Sequence, residues 1–219
     1  MKRREARWER ITRETRIGAR VCLDGRGVAR VRTGIPFFDH MLALFARHSA
    51  VDLSLRCRGD LDVDAHHSVE DCGIVLGGVV REALGDKTGI RRYGAGFDPR
   101  NPLWGEAYVP MDETLARCVV DFGGRPHFVW RGMGRLGFKI TALEAGQDMS
   151  SRFRFGLARE FFQAFANEAK CALHIELLYG EEPHHVVEAL FKAFARAVGT
   201  AIERDPRQAG QLPSTKGVL

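Results

Sequence analysis

Apolar residues recur at intervals of three and four through Phe37-Phe38-Asp39-His40-Met41-Leu42-Ala43-Leu44-Phe45-Ala46, a spacing that predicts a helix. The pattern then switches to alternation. Val51, Leu53, Leu55 and Cys57 interleave with Asp52, Ser54, Arg56 and Arg58, which predicts a strand with one buried face. After Gly59-Asp60 a second extended stretch leads to His66. A helix from there carries Ile74, Val75, Leu76, Val79 and Val80 to Leu84 and stops at Gly85. The same order returns later in the chain. Residues 157–166 predict a helix, 171–178 a strand and 179–183 a turn. A helix from His184 carries Val187, Leu190, Phe191, Phe194 and Ala195 to Val198, with Gly199 near its end. Residues 114–122 and 126–130 predict strands joined at Gly123-Gly124-Arg125, and 15–23 with 28–31 a hairpin about Asp24-Gly25.

This repetition reads as an internal duplication, with 1–94 and 95–219 as the two half-repeats of one compact domain. Strands accompany paired helices in each half, so the fold class is α+β, a layered sandwich. Segments 95–107 and 131–154 are rich in Gly and Pro or lack periodicity and read as long loops.

The chain has 219 residues, 45% hydrophobic and 28% charged, ordinary values for a globular protein able to bury a substantial core. The longest apolar run, 73–80, is far shorter than a membrane span and is bracketed by charges. Residues 1–10 are charged and hold no apolar core, unlike a secretory signal. Five cysteines (Cys22, Cys57, Cys72, Cys118 and Cys171) have no CxxC spacing, which suits reduced thiols in a cytoplasmic protein. The net charge of +5 is scattered among acids except over 1–20, so it favours an anionic small molecule over nucleic acid.

The pattern His-His-x-x-Glu occurs twice, as His66-His67-Ser68-Val69-Glu70 and His184-His185-Val186-Val187-Glu188. On a helix, with His66 at zero, His67 lies at about 100° and Glu70 at about 40°, so the carboxylate falls between two diverging imidazoles. Such a pair is better placed to serve two metals than to chelate one. Imidazole nitrogens and a carboxylate suit Mn, Fe, Co or Zn. The competing reading, a surface histidine cluster, loses ground because the spacing repeats. His40 precedes His66 by 26 residues and Glu160 precedes His184 by 24, so these two potential ligands correspond.

Several segments resemble the imidazoleglycerol-phosphate dehydratase family of histidine biosynthesis. They are Arg13-Glu14-Thr15, Thr33-Gly34-Ile35, Phe38-Asp39-His40-Met41-Leu42, Gly59-Asp60-Leu61, His66 through Asp71 and Gly89 through Gly94. Pro110-Met111-Asp112-Glu113, Gly124-Arg125-Pro126, His184-His185, Phe191 through Phe194 and Pro213 through Leu219 complete the series. The resemblance implies two halves, each a four-stranded sheet with two helices, and a homo-oligomeric shell of 24 subunits with active sites at subunit contacts. It also implies two Mn²⁺ per site, held by His40, His66, His67, Glu70, His184, His185 and Glu188. Glu160 is an eighth candidate, with an exposed helix glutamate as the competing reading.

For the phosphorylated imidazole substrate, the resemblance assigns the phosphate to Arg92, Arg125, Lys192, Ser214 and Lys216. Guanidinium forks suit phosphate, and the terminal segment reads as a tail ordering over it. Lys192, four residues after Glu188, could instead be its structural ion-pair partner. Glu14 is the implied acid/base; the alternative is a strand-end glutamate paired with a neighbouring arginine. The implied reaction converts D-erythro-imidazole-glycerol phosphate to imidazole-acetol phosphate and water. Its route passes through a metal-bound imidazolate and a diazafulvene-like intermediate.

The sequence departs from the family pattern at 95–107 and 131–154, which read as longer than usual, and at Asp148-Met149-Ser150-Ser151, a loose counterpart of an acidic segment. Two rivals remain: a lyase or hydrolase for another phosphorylated heterocycle, and a metal-storage shell with no need of Glu14.

Overall fold

A computed structural model describes residues 3–94, 108–132 and 153–219. The loop readings at 95–107 and most of 131–154, and the segment at Asp148, therefore lie outside the described residues. The elements in order are β1 (Glu5–Ile11), β2 (Thr15–Cys22), β3 (Ala29–Arg32), α1 (Pro36–Ser49), β4 (Asp52–Gly59) and α2 (His66–Leu84). There follow β5 (Tyr93–Gly94), β6 (Tyr108–Met111), β7 (Thr114–Asp121), β8 (His127–Arg131), α3 (Phe155–Ala169), β9 (Ala172–Tyr179) and α4 (Pro183–Ile202). The α+β class and the duplication hold.

The first sheet runs β1-β2-β4-β3, with β1–β2 and β2–β4 antiparallel and β3–β4 parallel. The second repeats this as β6-β7-β9-β8, with the same signs. It has a fifth strand. Short β5 pairs with the Val120–Asp121 end of β7, beyond the stretch that β6 covers, so two short strands share one edge. The four-stranded expectation is thus met in the first half and extended in the second.

The predicted hairpin of β2 and β3 does not form. The Asp52 carboxylate accepts the N–H groups of Arg26 (2.8 Å) and Val28 (3.0 Å), which wraps the connection around the start of β4. β3 then pairs with the far side of β4. The stretch after Asp60 is a turn rather than extended chain, closed by Val63 N–H donating to Asp60 O at 2.8 Å. β1 escaped the pattern because only Ala6 and Trp8 mark its inner face, among outward Glu5, Arg7, Glu9 and Ile11.

The helices lie between the sheets, and each packs on one from the other half. α1 runs parallel to α4: the rings of Phe45 and Phe194 stack at 5.2 Å, and Gly199 faces the Ser49 backbone. Gly199 thus lies near the end of α4, as expected, and the helix runs on to Ile202. The missing side chain serves a helix contact. α2 runs parallel to α3, with Arg81 bonded to Glu168 at the far end. Phe161, Phe162, Phe191 and Phe194 fill the centre, with Phe162 and Phe191 4.7 Å apart. The five cysteines are free and buried, and among the described residues no helix is long and apolar enough to cross a membrane.

At Gly77 an added Cβ would meet Phe165 O at 2.6 Å and Ala169 N at 2.9 Å, so α2 and α3 touch through this gap. Gly77→Val should destabilise the fold by about 1–3 kcal/mol, the usual range for overpacking. Gly18→Ala, where nothing lies within 4 Å, should leave the urea midpoint almost unchanged. Equal midpoints for the two variants would contradict this packing.

Candidate metal centre

Both His-His-x-x-Glu motifs open a helix whose first turn is held from outside. Asp64 accepts His66 N–H at 2.7 Å for α2. Glu182 accepts His185 N–H at 2.9 Å for α4, with Pro183 in the first helical turn. Adjacent helix positions splay the rings. His66 and His67 lie 6.0 Å apart at 88°, and His184 and His185 6.1 Å apart at 83°. The divergence expected from helical angles is present, but the carboxylate does not sit between the rings. Glu70 meets His66 Nε2 at 3.3 Å and Glu188 meets His184 Nε2 at 3.2 Å, each one helical turn away.

The second histidine of each pair turns to a carboxylate outside the helix. His67 Nδ1 is 2.9 Å from Asp60, and His185 Nδ1 is 2.7 Å from Glu113. A carboxylate on Nδ1 fixes a proton there and leaves Nε2 as the free donor atom, an arrangement typical of metal-binding histidines. The hydrogen bond to Asp60 raises the His67 pKa against the effect of burial, and Glu113 does the same for His185. Glu113 is itself held far below the usual carboxylate range by the Glu182 N–H and His185. Sequence reasoning gave Asp60 and Glu113 no role; the only signal was their position in the Gly59-Asp60-Leu61 and Pro110 to Glu113 segments.

Pairing of α1 with α4 brings a third candidate ligand from the other half. His40 Nε2 approaches Glu188 Oε2 at 3.5 Å. Donor atoms of His40, His184 and Glu188 all lie within 4.8 Å of one another. The set offers two nitrogens and an oxygen, and so fits a divalent ion such as Mn²⁺ or Zn²⁺. Glu188 is the buried member, its side chain 8% exposed. Burial favours its neutral form, but Lys192 (Nζ–Oε1 2.7 Å), His40 and His184 outweigh this and hold its pKa below the ordinary value. Lys192 therefore does pair with Glu188 and also contacts Met111 Sδ at 3.3 Å.

The first copy of the motif is more open. His66 and Glu70 face each other, and Glu14 Oε1 lies 3.8 Å from His67 Nε2. Glu14 is anchored by its backbone, with its N–H on Thr12 Oγ1 at 3.1 Å and its carbonyl accepting Asp60 N–H at 3.1 Å. Asp71, beside Glu70, takes the Thr15 hydroxyl and Arg10 Nε, tying β1 and β2 to α2. Glu160 occupies the position matching His40, since each lies ten residues before a left-handed helix end at Lys170 and Ala50. Its partner is Arg159 at 3.2 Å, and it does not join His66 and Glu70 in a cluster of the His40 kind.

The remaining candidates gather elsewhere. Arg92 forks onto Asp121 (Nε–Oδ1 2.7 Å, Nη2–Oδ2 3.1 Å) and donates to Pro213 O at 2.8 Å. Leu219 packs against Gly124, next to exposed Arg125, and Ser214 Oγ accepts Lys216 N–H at 3.2 Å. Arg92 N–H bonds Ala201 O near the end of α4, 17 residues after His184. That is about 25 Å of helix at 1.5 Å per residue. Arg92, Arg125 and the tail thus sit toward the end of α4, His184 at its start, and Lys192 midway with its ammonium turned back to Glu188.

The chain is similar along most of its length to proteins of one family. A sequence model of the family described as imidazoleglycerol-phosphate dehydratase matches residues 33–198. A protein of that name from Methylibium petroleiphilum is 51% identical over 216 residues, covering 99% of this chain and 98% of its own length. Its namesake from Akkermansia muciniphila is 49% identical over 216 residues, covering 99% and 100%. These relatives run nearly end to end with the chain. The crystal structure of imidazoleglycerol-phosphate dehydratase from Staphylococcus aureus superposes with a TM-score of 0.72 at 33% identity, covering 92% of this chain and 99% of that one. The enzyme from Pyrococcus furiosus, in complex with (S)-C348, gives 0.74 at 30% identity, covering 97% and 100%.

In the metal-free chain the His185–Glu113 pair raises the histidine pKa from 6.5. Its contribution to stability is therefore full below pH 6.5 and is lost as pH rises through the folded value. Glu113→Gln should return the His185 titration, followed by NMR, toward its ordinary value and leave His67 unmoved. A common shift of both histidines would contradict two separate carboxylate partners.

Proposed function

The chain belongs to the imidazoleglycerol-phosphate dehydratase family, and from that premise we propose that it dehydrates D-erythro-imidazole-glycerol phosphate to imidazole-acetol phosphate in histidine biosynthesis. Membership makes it a hydro-lyase. The observation that carries the specific reading is the gathering of His40, His184 and Glu188 from opposite halves, with its partial echo at His66, Glu70 and Glu14.

In this reading two Mn²⁺ are held by His40, His66, His67, Glu70, His184, His185 and Glu188, with Glu160 as a further ligand. Bound there, the ions act as Lewis acid and template for the substrate imidazole. The chain's own groups do the rest. Asp60 and Glu113 keep the Nδ1 protons of His67 and His185, which would leave Nε2 to bind the ion. Dehydration breaks the C–O bond beside the ring and a C–H bond on the next carbon. Glu14, next to His67, takes that carbon-bound proton. The leaving hydroxyl takes its proton from the acid form of Glu14 and departs as water, the carboxylate so formed accepts the carbon-bound proton, and the resulting enol becomes the ketone.

Arg92, Arg125, Lys192, Ser214 and Lys216 bind the phosphate. A ring, three carbons and a phosphate cannot bridge the length of α4 between His184 and Arg92. One subunit's metal end therefore meets another's phosphate end, which favours the shared sites of a 24-subunit shell. Residues 1–94 and 95–219 act as the half-repeats, in a cytoplasmic enzyme.

Purified, Mn²⁺-loaded protein should convert imidazoleglycerol phosphate to the keto product, and chelation should abolish turnover. Glu14→Gln should lower kcat by roughly 10²-fold or more, the usual weight of a general acid or base, while manganese content stays at the parent level. A fully metallated, assembled protein that yields no keto product would sink the proposal. Parent-like turnover in Glu14→Gln would remove Glu14 from the mechanism.

A further inference from the structure

Beyond the residues given roles so far, one buried cation stands at the phosphate end. Lys87 follows the end of α2, with φ +62° and its N–H on Leu84 O at 3.1 Å, and is 6% exposed. Its ammonium donates to Phe122 O at 3.0 Å. The nearby carboxylate, Asp121, is already forked onto Arg92. A buried ammonium whose hydrogen bond among the described residues is to a carbonyl is costly to desolvate, and burial does lower the Lys87 pKa. Such a group persists where its charge or its hold on the backbone is used.

The backbone it holds leads into the turn of the phosphate reading. Phe122 is pinned on both sides, its carbonyl by Lys87 and its N–H by Arg92 O at 3.1 Å. Gly123, Gly124 and Arg125 follow at once, with Leu219 of the tail against Gly124. Arg92 and Asp121 cancel as a pair, so Lys87 restores a positive field at this turn. We propose that Lys87 is a positioning residue for the substrate phosphate: it fixes the turn that carries Arg125 and supplies a buried positive charge behind it. The inference rests on the phosphate reading given above.

The test uses the assembled, Mn²⁺-loaded enzyme with imidazoleglycerol phosphate as substrate, and inorganic phosphate and imidazole as inhibitors. Lys87→Met should raise KM and weaken inhibition by inorganic phosphate, each by roughly tenfold, the scale on which a residue supporting a binding group acts. Inhibition by imidazole should stay at the parent value, and kcat should change less than KM. Lys87→Gln, which can still donate to Phe122 O, should recover part of the loss; it carries the same comparison if the Met variant fails to fold. Equal weakening of both inhibitors, or of neither, overturns the role of Lys87. Arg125→Gln run alongside separates the two levels. If it leaves phosphate inhibition unchanged, the phosphate site itself is misassigned. If it weakens that inhibition while Lys87→Met does not, only the role of Lys87 falls.

Discussion

The packing of helices from opposite halves is the constraint on which the site depends. His40 belongs to the first half, His184 and Glu188 to the second, and they meet because α1 lies parallel against α4. The duplication supplies the complementary pair, α2 against α3, through the gap at Gly77. Neither half alone can assemble the cluster. The phenylalanines of α3 and α4 set the spacing, and interiors packed at crystal-like density transmit small shifts instead of absorbing them. The core and the site are in this sense one structure.

Charge placement follows from that geometry. A carboxylate as buried as Glu188 is tolerated only when paired, and Lys192, His40 and His184 surround it. The adjacent histidines divide the work: the first of each pair faces its own helix's glutamate, the second takes a carboxylate from a loop or strand end. Asp60 serves the first half and Glu113 the second. They come from different places in the repeat, Asp60 after β4 and Glu113 between β6 and β7, so this support is functionally but not positionally duplicated.

Much of this was legible in the sequence. The four helices and the strands beginning near Asp52, Thr114, His127 and Ala172 follow from periodicity, and the grouping of His184 with Glu188 from the repeated motif. What failed was long-range or masked. β3 lies two strands from its presumed hairpin partner because Asp52 captures the connection, which no local pattern records. β1 was hidden by charges on its outer face. Gly199 lies near the end of its helix as expected, but that its missing side chain serves a helix contact is not visible locally. The pairing of Glu70 and Glu188 with the first histidine depends on rotamers that angular position alone does not fix. Asp60 and Glu113 sit far enough from the histidines in sequence that only the fold could join them to the site.

The two ends of the molecule complete the account: the paired histidines open the long helices α2 and α4, while Lys87, Arg92 and the tail lie where those helices finish. The central claim is that both His-His-x-x-Glu motifs are metal sites. Manganese-edge anomalous diffraction from Mn²⁺-loaded crystals tests it most directly. The account predicts one peak bonded to Glu188 and a histidine of its cluster and a second bonded at the His66–Glu70 motif. Metal–ligand distances should be about 2.0–2.3 Å, as for nitrogen and oxygen donors on such ions. Peaks absent from both motifs, in crystals whose manganese content is confirmed, would contradict it.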